Sequence, residues 1–313
     1  MMTEKQLSLN GKIIKGVGGF YYVHLHDKPK IYECKAKGVF RNQNIKPAVG
    51  DNVVIDVISE ENLTGNITAI CDRTNKLIRP AVANVDQAVI IFALANPEPN
   101  YNLLDRFLIM MDTQEVKTII CLNKSDLVDE QYAMTIKEIY ENCGYDVIIT
   151  STCSTGQCSE KDSSDTMRGI DDLRNLILGR TTVFAGPSGV GKSSLLNSLR
   201  PDANVETGSI SEKIKRGKHT TRHSELIYVE EDTYIMDTPG FSSLYVEDME
   251  PEMLKEYYNE FAAYRDSCRF NECVHINEPD CGVKLALEQG KISELRYNNY
   301  KQMYEELKSK RRW

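Results

Sequence analysis

The chain has 313 residues, more than one compact core usually holds, so two or three domains are expected. Hydrophobic residues make up 41% and charged residues 27%, which excludes a disordered or collagen-like chain. The net charge of -8 argues against a protein that is basic over its whole surface. No apolar run approaches the roughly 18 residues needed to span a bilayer, and the charged segment 1–10 holds no apolar block. We therefore expect no signal peptide, no membrane partner and a cytoplasmic protein.

Residues 1–73 consist of short β-rich runs separated by glycine and other turn residues. The runs lie at 13–14, 18–23, 31–34 and 53–58. About five strands in so short a segment predict a small closed β-barrel, either an OB-fold or an SH3-like barrel. His24 and His26 alternate on one of these strands, and we expect both on the surface.

Residues 74–242 change to unbroken apolar runs that alternate with helical patterns. The runs lie at 88–93, 117–122, 147–150, 181–185 and 234–237, and the helical patterns at 103–114, 132–142, 171–178 and 192–199. Strands buried on both faces that alternate with helices predict a doubly wound parallel sheet. A polar stretch at 202–222 is expected to be a mobile loop. Residues 243–313 are predicted to be mainly helical, which gives domains at 1–73, 74–242 and 243–313.

A phosphate-binding pattern, G-x-x-x-x-G-K-S, lies between a predicted strand and a predicted helix. It consists of Gly186, Pro187, Ser188, Gly189, Val190, Gly191, Lys192 and Ser193. Its glycines let backbone N–H groups turn towards phosphates, and the helix N-terminus favours anions. We expect Lys192 to contact the β- and γ-phosphates and stabilise charge during catalysis, and Ser193 to bind Mg²⁺.

A second motif selects the base. Asn123, Lys124, Ser125 and Asp126 follow a buried strand directly, at the edge where parallel sheets bind ligands. The Asp126 carboxylate would accept two hydrogen bonds from guanine, whereas adenine has no such pair of donors. We expect Asn123 to hold another polar edge of the base and the Lys124 stem to lie on the ring. The nucleotide is therefore predicted to be GTP.

A third motif, Asp237-Thr-Pro-Gly240, begins at the end of the strand at 234–237. Asp237 is expected to hold Mg²⁺ through water, and the Gly240 N–H to contact the γ-phosphate. Thr221 is expected to bind Mg²⁺ in the GTP state, with Thr220 as the alternative.

The catalytic water needs a residue that orients it. Phe241 stands where some GTPases carry a glutamine, and phenylalanine cannot orient water. His219 is therefore a candidate catalytic residue, the alternative being an ordinary surface histidine in a loop.

The order of the motifs is unusual, because the base motif at 123–126 precedes the phosphate loop at 186–193. The motifs can meet only if the chain is circularly permuted, which is tolerated when termini lie close together. In that order, the segment at 237–240 runs directly into the C-terminal domain.

A cysteine and histidine cluster in the C-terminal domain predicts a zinc site. Cys268, Cys273, His275 and Cys281 would form a closed tetrahedral set, which is typical of structural zinc. The remaining cysteines are expected to be packed (Cys34, Cys71, Cys121 and Cys143) or to lie in a polar insert (Cys153 and Cys158).

These motifs together resemble the RsgA (YjeQ/YloQ) family of circularly permuted GTPases that depend on the small ribosomal subunit. The resemblance covers nearly the whole chain and is carried by the N-terminal barrel and residues 79–87, 105–108, 123–126, 186–194, 217–221, 237–240 and 268–281. It implies an OB-fold at the N-terminus and a role as a late assembly factor of the 30S subunit.

The resemblance also implies further site residues and partners. Ser194 extends the phosphate loop, and Ser151 and Thr152 are the nearest match to the family's fifth guanine-contacting element. The expected partners are GTP and GDP, the 30S subunit and its 16S rRNA, and the chain is expected to be a monomer. Two alternatives stay open: a GTP-regulated RNA- or protein-binding switch with incidental hydrolysis, and a P-loop kinase or ATPase with a zinc ribbon.

Overall fold

The computed structural model describes residues 8–26, 28, 30–38, 40, 45–78, 80–152, 168–200, 225–237 and 249–310. The strands are β1 (Ser8–Val17), β2 (Phe20–Leu25), β3 (Ile31–Ala36), β4 (Asn52–Ser59), β5 (Thr64–Ile70), β6 (Lys76–Leu77), β7 (Val82–Ala83), β8 (Gln87–Ala93), β9 (Lys117–Asn123), β10 (Asp146–Ile149), β11 (Thr181–Ala185), β12 (Leu226–Tyr228) and β13 (Tyr234–Asp237). The α-helices are α1 (Tyr101–Asp112), α2 (Glu130–Glu141), α3 (Ile170–Ile177), α4 (Lys192–Leu199), α5 (Ala262–Arg265), α6 (Gly282–Glu288) and α7 (Glu294–Lys310). Short 3₁₀ helices cover Ser125–Leu127, Pro251–Tyr257 and Asn259–Phe261.

Within the described residues, no helix has both the length and the apolar character that a membrane span requires.

The chain forms two compact units, each made of segments that are separate in the sequence. The first unit holds Met1–Gln87, Arg174–Phe184 and Ser193–Thr238, and the second holds Ala88–Leu173, Ala185–Lys192 and Pro239–Trp313. The division of the sequence into three domains stays a prediction.

Five strands of the first unit close into a barrel in the order β1-β2-β3-β5-β4. β1 pairs antiparallel with both β2 and β4, and β3 pairs parallel with β5. Alternate side chains point inwards, as the strand period requires, and the core includes Ile13, Val23, Tyr32, Cys34, Val53, Ile55 and Ile67. The predicted small closed barrel of the OB-fold kind is confirmed. β5 was not among the predicted runs, because Gly65, Asn66 and Thr68 interrupt its apolar pattern.

Two side chains differ from the prediction. His24 was expected on the surface but is only 4% exposed, because it stacks on the Tyr228 ring at 4.2 Å and shares a 2.9 Å hydrogen bond with the Tyr234 hydroxyl. Cys71 was expected to be packed but is exposed, since it follows the last residue of β5. Cys34, Cys121 and Cys143 are buried as predicted, while Cys153 and Cys158 lie outside the described residues.

Three later strands of the first unit, β11, β12 and β13, pair with one another, and β13 ends at Asp237 of the third motif. β11 pairs parallel with β13, and the register places Phe184 opposite Asp237. β12 pairs antiparallel with β13. This edge strand was not predicted, because three residues beside acidic side chains give no readable period.

In the second unit, β8 lies next to β9, and β9 pairs parallel with β10. Every residue of β8 is buried, as expected for a strand covered on both faces. α1 begins at Tyr101, two residues before the predicted helix, because the Asn100 side chain accepts a hydrogen bond from the Leu103 N–H and caps it.

The C-terminal part of the second unit is mainly helical, as predicted. Its core is rich in aromatic side chains, and the rings of Phe261 and Tyr300 meet edge to face at 5.0 Å. The buried members include Leu254, Tyr258, Phe261, Val283, Tyr300 and Met303. Ile109 of α1 belongs to the same cluster, so the C-terminal helices share their apolar core with α1.

Burial of His24 makes the stability of the first unit depend on pH. Burial lowers the pKa of His24 to about 4, while the nearby Asp232 carboxylate opposes that shift. The unfolded chain binds a proton near the ordinary pKa of 6.5, so stability that is present above pH 6.5 is lost as the pH falls towards 4. Between pH 7 and pH 4, we expect the free energy of unfolding, measured with urea, to fall by about 2 to 3 kcal/mol more in the native protein than in His24→Gln. Equal losses in the two proteins would contradict this assignment.

Candidate nucleotide-binding and metal sites

The phosphate loop and the base motif contact each other in the second unit. The buried Asn123 side chain donates from Nδ2 to the Val190 carbonyl at 2.8 Å, and its Oδ1 accepts from the Thr150 hydroxyl at 3.0 Å. Asn123 and Val190 are 67 positions apart in the chain. Both ends of the Asn123 amide thus have partners within the protein, and these contacts hold the phosphate loop beside the base motif. The contact of Asn123 with the base stays a prediction.

Lys124 adds a second link between the two motifs. Its Nζ donates to the Gly189 carbonyl at 2.7 Å and also to the Asn96 carbonyl. The Lys124 backbone is left-handed, with φ of 60°, a conformation that costs an ordinary residue about 1 kcal/mol or more. The strain is kept at the residue that joins the base turn, the phosphate loop and the segment after β8.

Asp126 contacts the residue that the resemblance selected as a further guanine contact. The Ser151 hydroxyl donates to Asp126 Oδ1 at 2.5 Å. Asp126 is exposed, Ser151 is buried and Thr152 is half-buried beside it. The Ser125 N–H donates to the Thr150 carbonyl, so the base turn is also held to the end of β10 by its backbone.

The phosphate loop runs from the end of β11 into α4. Lys192 Nζ donates to the carbonyls of Gly186 at 2.9 Å and Pro187 at 2.7 Å. Gly186 and Val190 are buried, Pro187, Gly191 and Lys192 are half-buried, and Ser188, Gly189, Ser193 and Ser194 are exposed. The tip of the loop and the start of α4 are therefore accessible, as a phosphate site requires.

Of the residues predicted to bind Mg²⁺, Ser193 and Asp237 lie among the described residues. Ser193 lies in the first turn of α4, and Asp237 ends β13 as a half-buried side chain. A hydroxyl and a carboxylate suit Mg²⁺, which prefers oxygen ligands. Thr220, Thr221, His219, Gly240 and Phe241 lie outside the described residues.

The cysteine and histidine cluster is assembled in the C-terminal part of the second unit. One ligand atom from each of Cys268, Cys273, His275 and Cys281 lies within 4.8 Å of all the others. Cys268 Sγ is 3.9 Å from Cys281 Sγ and 3.6 Å from His275 Nδ1. Zn–S bonds of about 2.3 Å in a tetrahedron place two sulfurs about 3.8 Å apart. The four residues therefore fit a closed tetrahedral zinc site.

Other side chains from the C-terminal part of the second unit hold the backbone of the cluster in place. The Glu278 carboxylate accepts from the N–H groups of Val274, Ile276 and Asn277 at 2.8 to 3.0 Å. Burial alone would raise the pKa of Glu278, but these amides hold it below its usual value. The carbonyls of residues 273–275 accept in turn from Lys255, Tyr300 and Tyr297. The ligand loop is therefore shaped by protein contacts as well as by its ligands.

Three supporting residues escaped the sequence analysis. Asn96, Thr150 and Glu278 act through a carbonyl, a hydroxyl and a carboxylate that satisfy neighbouring groups. None of them belongs to a spaced motif. Only Glu278 had a signal, its place between two predicted zinc ligands.

Gly191 allows the close contact between the two motifs. A Cβ at Gly191 would lie 2.3 Å from Asn123 Nδ2, so Gly191→Ala must displace the Asn123 amide from Val190. We expect Gly191→Ala to lower GTP affinity by about tenfold or more and stability by about 2 kcal/mol, measured by nucleotide titration and urea unfolding.

Gly189→Ala is the matched control. Gly189 also has a positive φ, but a Cβ there would make only ordinary contact, at 3.7 Å from Pro97. The alanine at 189 should therefore carry the backbone strain without the clash. Equal losses of affinity in the two variants would contradict the proposed role of the Asn123 contact.

Comparisons with known proteins identify one family over nearly the whole chain. A model of the RsgA N-terminal domain matches residues 10–67, and one of the RsgA GTPase matches residues 70–247. The small ribosomal subunit biogenesis GTPase RsgA of Agathobacter rectalis is 54% identical over 97% of this chain and 100% of its own. The protein of that name from Alkaliphilus metalliredigens is 48% identical over 97% and 99%.

Two solved structures with the names YjeQ and YloQ resemble the chain over nearly its whole length. The crystal structure of YjeQ from Thermotoga maritima superposes with a TM-score of 0.76 at 35% identity, over 96% of this chain and 99% of its own. YloQ, a circularly permuted GTPase, superposes with a TM-score of 0.73 at 38% identity, over 99% and 98%. The motif order, the barrel and these matches place the chain in the RsgA family of circularly permuted GTPases.

Proposed function

We propose that this chain hydrolyses GTP and acts on the small ribosomal subunit late in its maturation, leaving the subunit after hydrolysis. The observation that carries the proposal is the contact of Asn123 and Lys124 with the phosphate loop, which brings a guanine-selective motif to a triphosphate-binding loop. Relatives named for small ribosomal subunit biogenesis support the choice of partner.

GTP is held at its two ends. Asp126, oriented by the Ser151 hydroxyl, accepts from the guanine N–H groups, and Thr152 lies beside that contact. Lys192 exchanges the carbonyls of Gly186 and Pro187 for the β- and γ-phosphates, whose charge it then balances.

Hydrolysis is an in-line attack of water on the γ-phosphate. Mg²⁺, held by Ser193, Thr221 and, through water, Asp237, would neutralise the charge that develops on the phosphate oxygens. His219 is the residue we assign to orienting the water, and the Gly240 N–H contacts the γ-phosphate. Loss of that phosphate would release the segment after Asp237, which leads into the C-terminal domain.

The subunit contact involves 16S rRNA. A small OB-fold barrel is a common RNA-binding module, and the C-terminal tail adds a cluster of basic residues at 308–312. The net charge of -8 opposes indiscriminate RNA binding and favours one specific docking site. The chain would act as a monomer in the cytoplasm, where subunits are assembled.

GTP turnover with and without purified small ribosomal subunits tests this function. We expect the subunits to raise kcat by about tenfold or more, because docking orders the residues around the γ-phosphate. Large ribosomal subunits serve as the control and should leave kcat unchanged. Turnover that does not respond to small subunits would defeat the coupling and favour a binding switch with incidental hydrolysis.

Competition between GTP and ATP for the protein tests nucleotide choice. GTP should compete about tenfold or more weakly for Asp126→Asn than for the native protein, because the new amide N–H groups repel the guanine donors. ATP should compete weakly for both proteins. Asp129→Asn, which changes a nearby exposed carboxylate, is the matched control.

We also propose that the C-terminal cluster binds one structural zinc ion. Four ligands of the types Cys₃His leave no open position, so the ion would join the ligand loop to the helical core and activate no water.

Metal analysis of the purified protein should find about one zinc per chain. Cys273→Ser should lose most of that zinc and destabilise the C-terminal domain, since Cys273 is a buried ligand. Cys71→Ser, which changes an exposed cysteine outside the cluster, should keep the full zinc content. Full zinc in Cys273→Ser would contradict the assignment.

A further inference from the structure

The motif at 105–108 belongs to the family resemblance but has no role in the nucleotide site described above. It lies in the middle of α1, the helix that follows β8. Phe107 and Leu108 are buried, and the Phe107 ring meets the Phe92 ring of β8 at 5.9 Å. These apolar residues hold α1 to the sheet. Asp105 and Arg106, the two charged residues of the motif, are also buried and have other partners.

Asp105 is a fully buried carboxylate whose partners come from two other helices. Its Oδ1 accepts from Arg296 at 2.5 Å and from the Tyr140 hydroxyl at 3.0 Å, and its Oδ2 accepts from Asn299 at 2.7 Å. Arg296 and Asn299 belong to α7 of the C-terminal domain. A charge in such a place is tolerated only when it is paired and fully hydrogen-bonded.

Arg296 has a second carboxylate partner, on its own side of the contact. Its Nε donates to Glu260 at 2.8 Å, and its guanidinium lies 4.4 Å from the centre of the Tyr258 ring. Glu260 and Tyr258 belong to the C-terminal domain, whereas Asp105 belongs to α1. One buried arginine thus holds one carboxylate from each side.

Arg106 repeats the contact one residue later. Its Nη2 donates to Glu306 of α7 at 2.5 Å, and its Nε donates to Asn102 within α1 at 2.8 Å. Both polar residues of the motif therefore bind the C-terminal helix.

The other end of α1 leads to the nucleotide site. Residues 94–100 connect β8 to α1, and Asn100 caps the helix. Within this connection, the Asn96 carbonyl accepts from Lys124, which also holds Gly189 of the phosphate loop. Pro97 lies within ordinary contact distance of Gly189. Only residues 97–99 separate the Lys124 contact from the cap of α1.

We propose that Asp105 and Arg296 are positioning residues for GTP: their buried ion pair fixes α1 and, through residues 96–100, the place of Lys124 beside the phosphate loop. The inference rests on the proposed nucleotide site. It assigns the motif at 105–108 to a connection between the C-terminal domain and the base turn, separate from the segment after Asp237.

The two carboxylates of Arg296 provide the test. Asp105→Asn and Glu260→Gln each remove one negative charge from the same arginine, so both should lower the thermal unfolding temperature. Only Asp105 lies on α1. In titrations with a fluorescent GDP derivative and with GTP, Asp105→Asn should raise Kd by about fivefold or more, with kcat at saturating GTP within about twofold of wild type. Glu260→Gln should leave Kd within about twofold of wild type.

Asp280→Asn is the neutral control, because it removes an exposed ion pair with Arg269 in the same domain. Unchanged Kd in Asp105→Asn, or an equal rise in Glu260→Gln, would overturn the inference while leaving the proposed function intact. Wild-type protein that binds neither nucleotide would overturn both. If Asp105→Asn does not fold, Glu306→Gln removes the partly exposed partner of Arg106 and should raise Kd by about twofold to fivefold, and an unchanged Kd there would also overturn the inference.

Discussion

The hydrogen bond from the Asn123 amide to the Val190 carbonyl is the constraint on which the nucleotide site depends. It is buried, so breaking it would leave two unsatisfied polar groups at a cost of about 1 to 3 kcal/mol each. The bond closes a long loop of chain, and it holds the residues predicted to select a base next to those predicted to bind phosphates. Lys124 reinforces it from the surface.

The C-terminal part of the second unit has a buried core and a candidate metal site, which are two sources of stability that small domains often combine. Its aromatic side chains form a buried core, and the zinc ion that we propose for the Cys and His cluster would add a cross-link between segments that have little secondary structure. The Glu278 carboxylate and three donors hold the ligand loop on both its N–H and its C=O sides. Such a loop has less conformational freedom to lose when a metal binds, which favours tight and selective binding.

Much of the fold followed from periodicity, because apolar runs such as β8 and β9 are long and uninterrupted. β12 could not be predicted, since its pairing with β13 depends on tertiary contacts that three residues do not encode. The same reason explains His24, whose place on an alternating strand is typical of a surface residue until Tyr228 and Tyr234 cover it. At the predicted nucleotide site, spaced motifs picked out the residues that we expect to contact GTP, and their contacts with the ligand stay predictions. The groups that support them, such as Thr150 and the Asn96 carbonyl, were missed because any residue type offers a carbonyl and many offer a hydroxyl.

The first compact unit joins the barrel to strands that come much later in the chain. Lys12 and His24 on the barrel are covered by Thr181 and Tyr234, so these side chains stay uncovered during synthesis until most of the polypeptide has emerged. For most of translation, a nascent barrel would therefore expose a face that is buried in the folded protein and includes Lys12 and His24. Truncated chains that end between β5 and β13 contain every barrel strand, and they should for that reason be prone to self-association or to capture by chaperones.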